Sequence, residues 1–249
     1  MVLLIMINGI KKFMSLISFF TTIPTGYNDI VSASESFYLI PLVGLIEGSI
    51  ICLVSYALIF RPIIDASILL LSHIVLTGGL HLDGFADYSD VIGSGKSGEG
   101  SIKIAKDPRK GSFAVIFTAL LIIIRFSTLC VLFKNYQALL LSYLIGLEGS
   151  YVISSLSKPP KYQGLGRLFI KKSKDKKLIL INALAYFIII FSITYLLKDI
   201  YVLIPQLSLL SIPFILKDSE RRFGYVNGDV LGFTIETVEV TSLLLFSVI

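Results

Sequence analysis

The chain has 249 residues, of which 55% are hydrophobic and 16% are charged, and its formal net charge is +5. A soluble domain carries about 25% charged residues, so this composition excludes an ordinary soluble protein and indicates a polytopic membrane protein. The two cysteines, Cys52 and Cys130, lie in apolar runs, which argues against a disulfide framework or a cysteine-ligated metal.

The first predicted element is an N-terminal helix. Residues 1–23 are largely apolar, but Lys11 and Lys12 follow the apolar start, whereas a secretory signal has its basic residues in front. We therefore expect a membrane-surface or re-entrant helix that ends at Pro24.

Seven apolar stretches then approach the length needed to cross about 30 Å of hydrocarbon. We predict helices for them, because an open sheet cannot satisfy its backbone polar groups in lipid. The second stretch is short, and the last carries Glu236 and Glu239. The sequence thus predicts an all-α, polytopic integral membrane bundle forming one domain over residues 1–249, with about seven spans at 37–60, 63–80, 113–133, 136–156, 178–197, 200–216 and 229–249.

The basic residues are unevenly distributed between these stretches. Of the 22 Lys and Arg residues, 18 fall in four segments, which are 1–36, 81–112, 157–177 and 217–228. If all seven stretches span, the four segments share one side, and the positive-inside rule makes that side cytoplasmic. We expect a multi-pass protein of the cell (inner) membrane. The strongly basic segment 158–177 either sets topology and attracts anionic lipid or forms a wall for a polyanionic substrate.

The segment "DVIGSGKSGEGS" (90–101) contains part of the pattern of a phosphate-binding loop. The pattern G-x-x-x-x-G-K-[ST] requires glycine where this chain has Asp90, and no apolar strand comes before it. We instead interpret the segment as a flexible linker between an acidic and a basic segment.

The acidic segment places three carboxylates on one helix face. Asp83, Asp87 and Asp90 recur at i, i+4 and i+7, with His81 just upstream. Crowded carboxylates repel one another unless a cation lies between them, and an all-oxygen set suits Mg²⁺ or Mn²⁺. A solvated acidic face is the alternative. The other histidine, His73, lies in a predicted span, where a hydrogen-bonded core residue is the simpler interpretation.

Basic residues follow within the same loop and again before the last stretch. Carboxylates that hold a metal, followed by cations that hold phosphate, are what phosphoryl transfer requires. The basic residues of the first set are Lys103, Lys106, Arg109 and Lys110, with Asp107 among them, and the second set comprises Arg221, Arg222 and Asp229.

The motifs "GGLHLDGFAD" (78–87), "KDPRKGSF" (106–113), "GLG" (164–166) and "GDVLG" (228–232) resemble those of the cobalamin synthase family, the adenosylcobinamide-GDP ribazoletransferases. "SFFTTIP" (18–24) and "PLVGLIEG" (41–48) are similar to that family's N-terminal patterns, so the resemblance runs from about residue 13 to the end. "DGFAD" also resembles the start of the CDP-alcohol phosphotransferase signature, but Asp87 stands where that signature has Arg. A membrane transporter is a third alternative, although no internal repeat supports it.

The resemblance to cobalamin synthases implies an Mg²⁺-dependent transfer. A hydroxyl of α-ribazole, or of its 5′-phosphate, attacks the cobinamide-side phosphorus of adenosylcobinamide-GDP, and GMP leaves. The resemblance also implies small-molecule partners and a lipid bilayer, no nucleic acid, and leaves a homo-oligomer open. It implies that Asp83, Asp87 and Asp229 are metal ligands. The residues expected to contact phosphate are Lys106, Arg109, Arg221 and Arg222. Asp107 is expected to orient them or to bind metal, and His81 to be a base, a supporting partner or a structural residue.

The chain departs from the family pattern at several positions. The family usually has Arg at the position of Thr22, Ser at Pro108 and Thr at Asn227, and often Gly at Val91, which follows Asp90. It also usually has an Arg near Ser150. These departures leave the central Asp and Lys-Asp/Arg sets intact.

Charges within the predicted spans are costly and need partners. We predict that Arg125 pairs with a glutamate, most plainly Glu148 on the following helix. Asp229 and Glu236 share a helix face at i, i+7, so Glu236 is expected to point inward.

Overall fold

A computed structural model of the protein describes residues 2–249, with side chains from residue 6 onward. The described residues form helices and connecting turns without a strand, which confirms the all-α class. Two 3₁₀ segments, Phe37–Leu39 and Ile200–Ser211, precede α3 and α11. The α-helices are α1 (Val2–Phe20), α2 (Ile30–Glu35), α3 (Ile40–Ala57), α4 (Pro62–Thr77), α5 (Leu80–Gly93), α6 (Glu99–Ala105), α7 (Ser112–Leu132), α8 (Tyr136–Leu156), α9 (Leu165–Lys172), α10 (Lys176–Leu197), α11 (Ile212–Phe223) and α12 (Gly228–Phe246).

Five helical stretches within the described residues are long and apolar enough to cross a membrane. A sixth is counted if the bent pair α4 and α5 forms one span. This is fewer than the seven predicted, mainly because α12 carries Asp229, Glu236 and Glu239 within 19 residues. The five stretches are Phe37–Ala57, Ser112–Leu132, Tyr136–Leu156, Lys176–Leu197 and Ile200–Phe223.

Small residues allow the central helices to pack closely. A Cβ at Gly44 would lie 2.6 Å from Leu144 Cα, and one at Gly48 would lie 2.5 Å from the Leu140 carbonyl oxygen. Helices in lipid associate through such backbone approaches, because the surrounding lipid is as apolar as the side chains. The pair Gly44 and Gly48, one turn apart on α3, therefore lets α3 pack directly against α8, the most buried of the five stretches.

A double glycine turns the chain between α4 and α5. Gly78 and Gly79 have φ values of 62° and 69°, which residues with a Cβ rarely adopt, and the two helices meet at 90°. The segment after α1 is tied to this turn, since Thr22 donates from its backbone N–H to the Leu76 carbonyl (2.7 Å). The predicted span 63–80 therefore ends at Thr77, and α5 departs at right angles with its carboxylates.

The N-terminal helix ends at Phe20, four residues earlier than predicted. Residues 21–29 then form no helix before α2 begins at Ile30. Whether α1 lies at the membrane surface or re-enters the membrane stays a prediction.

Arg125 on α7 lies at the centre of a buried polar cluster. Its Nη2 contacts Glu236 Oε2 at 2.7 Å and Glu239 Oε2 at 2.8 Å, and its Nη1 lies 2.9 Å from His73 Nδ1. His73 Nε2 in turn lies 2.9 Å from Glu47 Oε1. All five side chains are buried. The inward direction of Glu236 and the core position of His73 are thus confirmed.

The predicted pairing of Arg125 with Glu148 is wrong. Glu148 on α8 instead accepts a hydrogen bond from Asn182 Nδ2 (3.1 Å) on α10. The physical reason is that α12 packs against both α7 and α8 and supplies the carboxylates that Arg125 contacts.

Candidate functional site

The candidate site lies where α5 packs on the N-terminal turn of α12. Two glycines bring the helices together: a Cβ at Gly84 would lie 3.2 Å from Asp229 Cα, and one at Gly232 would lie 2.7 Å from the His81 carbonyl oxygen. As a result, Asp83 and Asp229 line the same cavity, although 146 positions separate them in the sequence. The two segments therefore meet at one cavity.

The ammonium group of Lys110 contacts both Asp83 and Asp87. Lys110 Nζ donates to Asp83 Oδ1 at 2.7 Å and also to Asp87 Oδ1. Burial lowers the pKa of Lys110, but these hydrogen bonds outweigh it and hold the pKa above its usual value. Lys110 belongs to the predicted basic set, but the spacing of the sequence gave no sign that it bridges the two carboxylates.

Asp90, the third carboxylate of the predicted face, has a different role. Its Oδ1 accepts a hydrogen bond from the Ala114 N–H (2.7 Å), and its other oxygen accepts one from Gly111 N–H. These N–H groups belong to the start of α7, where the first turn has no partners within the helix. Asp90 therefore caps α7, and the acidic pair Asp83 and Asp87 is left with Lys110.

Asp229 is held by its neighbour Asn227. Asn227 Oδ1 accepts from the Val230 N–H (3.1 Å) as the N-cap of α12, and its Nδ2 donates to Asp229 Oδ2 (2.9 Å). The departure from the family's Thr thus keeps a capping side chain and adds an amide donor that orients the carboxylate.

The basic residues of the site fall into different surroundings. Lys106 Nζ lies 5.6 Å from the centre of the Tyr162 ring, which lines the cavity. Arg109 is largely exposed and pairs with Asp107 (Nη2 to Oδ2, 2.9 Å). Hydrogen bonds from Arg109 lower the pKa of Asp107 to about 2. In this arrangement the Asp107 carboxylate orients the Arg109 guanidinium. Arg221 is exposed.

Arg222 has a structural role in place of the predicted phosphate contact. Its guanidinium is buried and donates to Asp218 Oδ2 (2.6 Å) and to the carbonyls of Val91 (3.0 Å) and Lys96 (2.9 Å). Its own carbonyl accepts from Gly98 N–H (2.8 Å). These bonds fasten the glycine-rich linker between α5 and α6 onto α11, so Arg222 has protein acceptors where a phosphate was expected.

The donor set at α5 and α12 fits a hard divalent cation. Asp83, Asp87 and Asp229 offer only carboxylate oxygens, which Mg²⁺ and Mn²⁺ prefer. The Lys110 ammonium between two of them demonstrates that the pair accommodates positive charge.

A second group, formed by Glu47, His73 and Glu239, brings its potential ligand atoms within 4.8 Å of one another in the bundle core. There the Arg125 guanidinium already contacts His73 and Glu239. Because arginine only donates, His73 Nδ1 must accept, which leaves the proton of a neutral ring on Nε2 and makes that atom unsuitable as a metal ligand. Arg125 therefore occupies this group, which makes it a poor metal site in the described arrangement.

Comparison with known proteins identifies the family. The cobalamin-5-phosphate synthase family matches residues 12–247. The chain belongs to this family. Three curated relatives that resemble it are each named adenosylcobinamide-GDP ribazoletransferase. The protein of Treponema denticola is 28% identical (94% of this chain, 96% of the relative), that of Clostridioides difficile 29% (94% and 96%), and that of Clostridium tetani 32% (95% and 96%). No solved structure matches the chain.

Membership in the cobalamin synthase family makes the chain an enzyme and supports a cobalamin synthase activity. Its apolar helices make it a membrane protein. The matched range contains all four motifs, three of which supply residues that line the cavity, so the site described above lies within the part of the chain that defines the family.

Proposed function

We propose that this chain transfers the cobinamide-phosphate moiety of adenosylcobinamide-GDP to α-ribazole or its 5′-phosphate. An oxygen of the acceptor hydroxyl forms a bond to the cobinamide-side phosphorus, and the bond from that phosphorus to the bridging oxygen of the GMP group breaks. The hydroxyl proton passes to a base, for which the buried His81 is the candidate, and GMP leaves. The relatives' printed names supply the substrates.

The observation that carries the proposal is the meeting of carboxylates from α5 and α12 at one cavity. In our proposal Asp83, Asp87 and Asp229 hold Mg²⁺, which when bound neutralises charge on the pyrophosphate and on the leaving phosphate. Asn227 keeps Asp229 directed at the site.

The cations of the site have complementary roles. Lys110, which donates to both Asp83 and Asp87, offsets the repulsion between the two carboxylates and would be available to contact a phosphate oxygen if they held a metal. Lys106, at the rim near Tyr162, and Arg109, on the surface, contact the phosphates of the nucleotide. Such fixed positive charges stabilise the charge that develops in phosphoryl transfer.

We further propose that the site faces the cytoplasm at the inner membrane. The support is the distribution of Lys and Arg: when α4 is counted as a sixth crossing helix, each of the four basic segments is joined to the next by two crossing helices. The right-angle turn at Gly78 and Gly79 fits this placement, because it lets α5 run along the membrane surface with its carboxylates toward water.

The test is a transfer assay with the full chain in proteoliposomes. Adenosylcobinamide-GDP and α-ribazole are supplied with and without Mg²⁺, and released GMP is measured. We expect Mg²⁺-dependent release that Asp83→Asn lowers at least about 100-fold, since removal of one electrostatic contact to a transition state commonly costs that much.

A matched control is Asp175→Asn. Asp175 caps α10 by accepting from Lys177 N–H, and asparagine caps equally well, so this variant is expected to retain activity. Full activity of Asp83→Asn would contradict the metal assignment. Release of CMP from a CDP-alcohol, with no GMP from the cobinamide substrate, would favour the CDP-alcohol alternative.

A further inference from the structure

The cavity beside the carboxylates has an aromatic wall. Its volume is about 270 Å³, and Asp83 and Asp229 lie along it. Phe19, Phe20 and Phe169 stand together on the wall: the ring centres of Phe19 and Phe169 are 4.5 Å apart, and those of Phe20 and Phe169 are 5.7 Å apart at 88°. The three rings come from α1 and α9, so the cavity is closed by segments other than those that carry the carboxylates.

His81 is an unsatisfied polar group on the same cavity. The side chain is 2% exposed and lines the cavity, and neither ring nitrogen has a hydrogen-bond partner in the described chain. Its ring centre lies 5.8 Å from that of Phe20. Buried polar groups in proteins are nearly always hydrogen-bonded. A ligand that enters between the aromatic wall and α5 would supply the missing partner.

From these features we infer that this cavity binds the acceptor, an apolar bicyclic base carried on a ribose, with the base against Phe19, Phe20 and Phe169 and with a ribose hydroxyl as the hydrogen-bonding partner of His81. The inference rests on the proposed function and names the subsite of one of its two substrates. Planar aromatic bases gain affinity from stacked and edge-on contacts with such rings.

Size and polarity both favour the acceptor over the donor. Pockets for drug-sized ligands usually measure about 300–1,000 Å³, so a cavity of about 270 Å³ matches a nucleoside better than a corrin macrocycle. Guanine, the base of the donor, presents a polar edge that needs several fixed donors and acceptors. The three phenylalanines offer none, and the polar side chains Tyr162, Arg167 and Asn227 lie elsewhere in the lining of the cavity. The ribose then extends toward Asp83 and Asp229, where its hydroxyl meets the phosphorus.

The experiment measures the KM of each substrate separately for the full chain in proteoliposomes. Phe19→Leu and Phe20→Leu remove a ring from the wall, and we expect each to raise the KM for α-ribazole by about tenfold, with the KM for adenosylcobinamide-GDP changing less than about twofold. Phe233→Leu is the matched control. Phe233 stacks on Phe85 at 4.9 Å, in a separate groove between α5, α7 and α12, so its loss should leave the KM for α-ribazole unchanged.

Phe20 is buried and its variant could fail to fold, whereas Phe19 is only half-buried and keeps the test valid. Equilibrium binding of α-ribazole to the wild-type chain in nanodiscs tests the site without turnover. If the chain binds α-ribazole, and Phe19→Leu weakens that binding, the subsite stands even where no GMP is released and the proposed transfer fails. If GMP is released but the wall variants raise only the KM for adenosylcobinamide-GDP, the subsite assignment is overturned while the proposed function stands.

Discussion

Replacement of Arg125 by Met tests the buried cluster that the structure places at the centre of the bundle. The variant removes a guanidinium that contacts Glu236 at 2.7 Å, Glu239 at 2.8 Å and His73 at 2.9 Å, with these side chains at most 3% exposed. The glutamates are then left without their cation in a region of low dielectric constant. Removal of one partner of a buried ion pair costs about 3–5 kcal/mol. Since about 1.4 kcal/mol is a factor of ten, the ratio of folded to unfolded protein should fall at least about 100-fold.

The assay is unfolding of the purified chain in mixed micelles by increasing amounts of SDS, followed by loss of helical signal. A double-mutant cycle identifies the partner of Arg125. Arg125→Met combined with Glu239→Gln should show a coupling energy of about 1 kcal/mol or more, because contacting residues are not additive.

Glu148→Gln is the control, since Glu148 is the partner that the sequence favoured and the structure bonds it to Asn182. Its effect should add to that of Arg125→Met within about 0.5 kcal/mol. A coupling to Glu148 as large as the coupling to Glu239 would refute the arrangement of α7, α8 and α12 described above.

Three further predictions use the same unfolding assay and the GMP assay. Asp90→Ala removes an acceptor of two N–H groups at the start of α7 and should lower the free energy of unfolding by about 0.5–2 kcal/mol. The Mg²⁺ concentration for half-maximal GMP release should not change, and a changed value would make Asp90 a metal ligand. Gly232→Ala places a Cβ 2.7 Å from the His81 carbonyl oxygen and should lower the free energy of unfolding by about 1–3 kcal/mol. The Cβ of Gly228→Ala meets open space, so this control should change stability little. Equal losses of stability would argue against the close packing of α5 on α12. Arg222→Ala should lower stability by about 1–3 kcal/mol and leave the KM for adenosylcobinamide-GDP unchanged, whereas a raised KM in a stable variant would restore the phosphate contact.

The glycine motifs could be recognised in the sequence, but the backbone contacts that they make could not be predicted from it. "GGLHLDG" was informative as a family pattern, but the sequence does not say what each glycine does. In the structure Gly78 and Gly79 make the right-angle turn, and Gly84 lies against Gly232 of "GDVLG". "GLG" joins the same contact network, because a Cβ at Gly166 would lie 2.6 Å from the Gly228 N atom. Motifs that are distant in the sequence thus each provide one side of a backbone contact.

The apolar helices, the face shared by Asp83 and Asp87, and the inward direction of Glu236 were all determined by the sequence alone. Each depends on hydropathy or on helical spacing, which are local properties of the chain. The partner of Arg125, the position of Lys110 between two carboxylates, and the capping role of Asp90 were decided only by the tertiary structure. These contacts join residues on different helices, and helical spacing carries no information about which faces of separate helices meet. The choice depends on how closely the backbones can approach, which the glycines of α3, α5 and α12 set through packing in three dimensions.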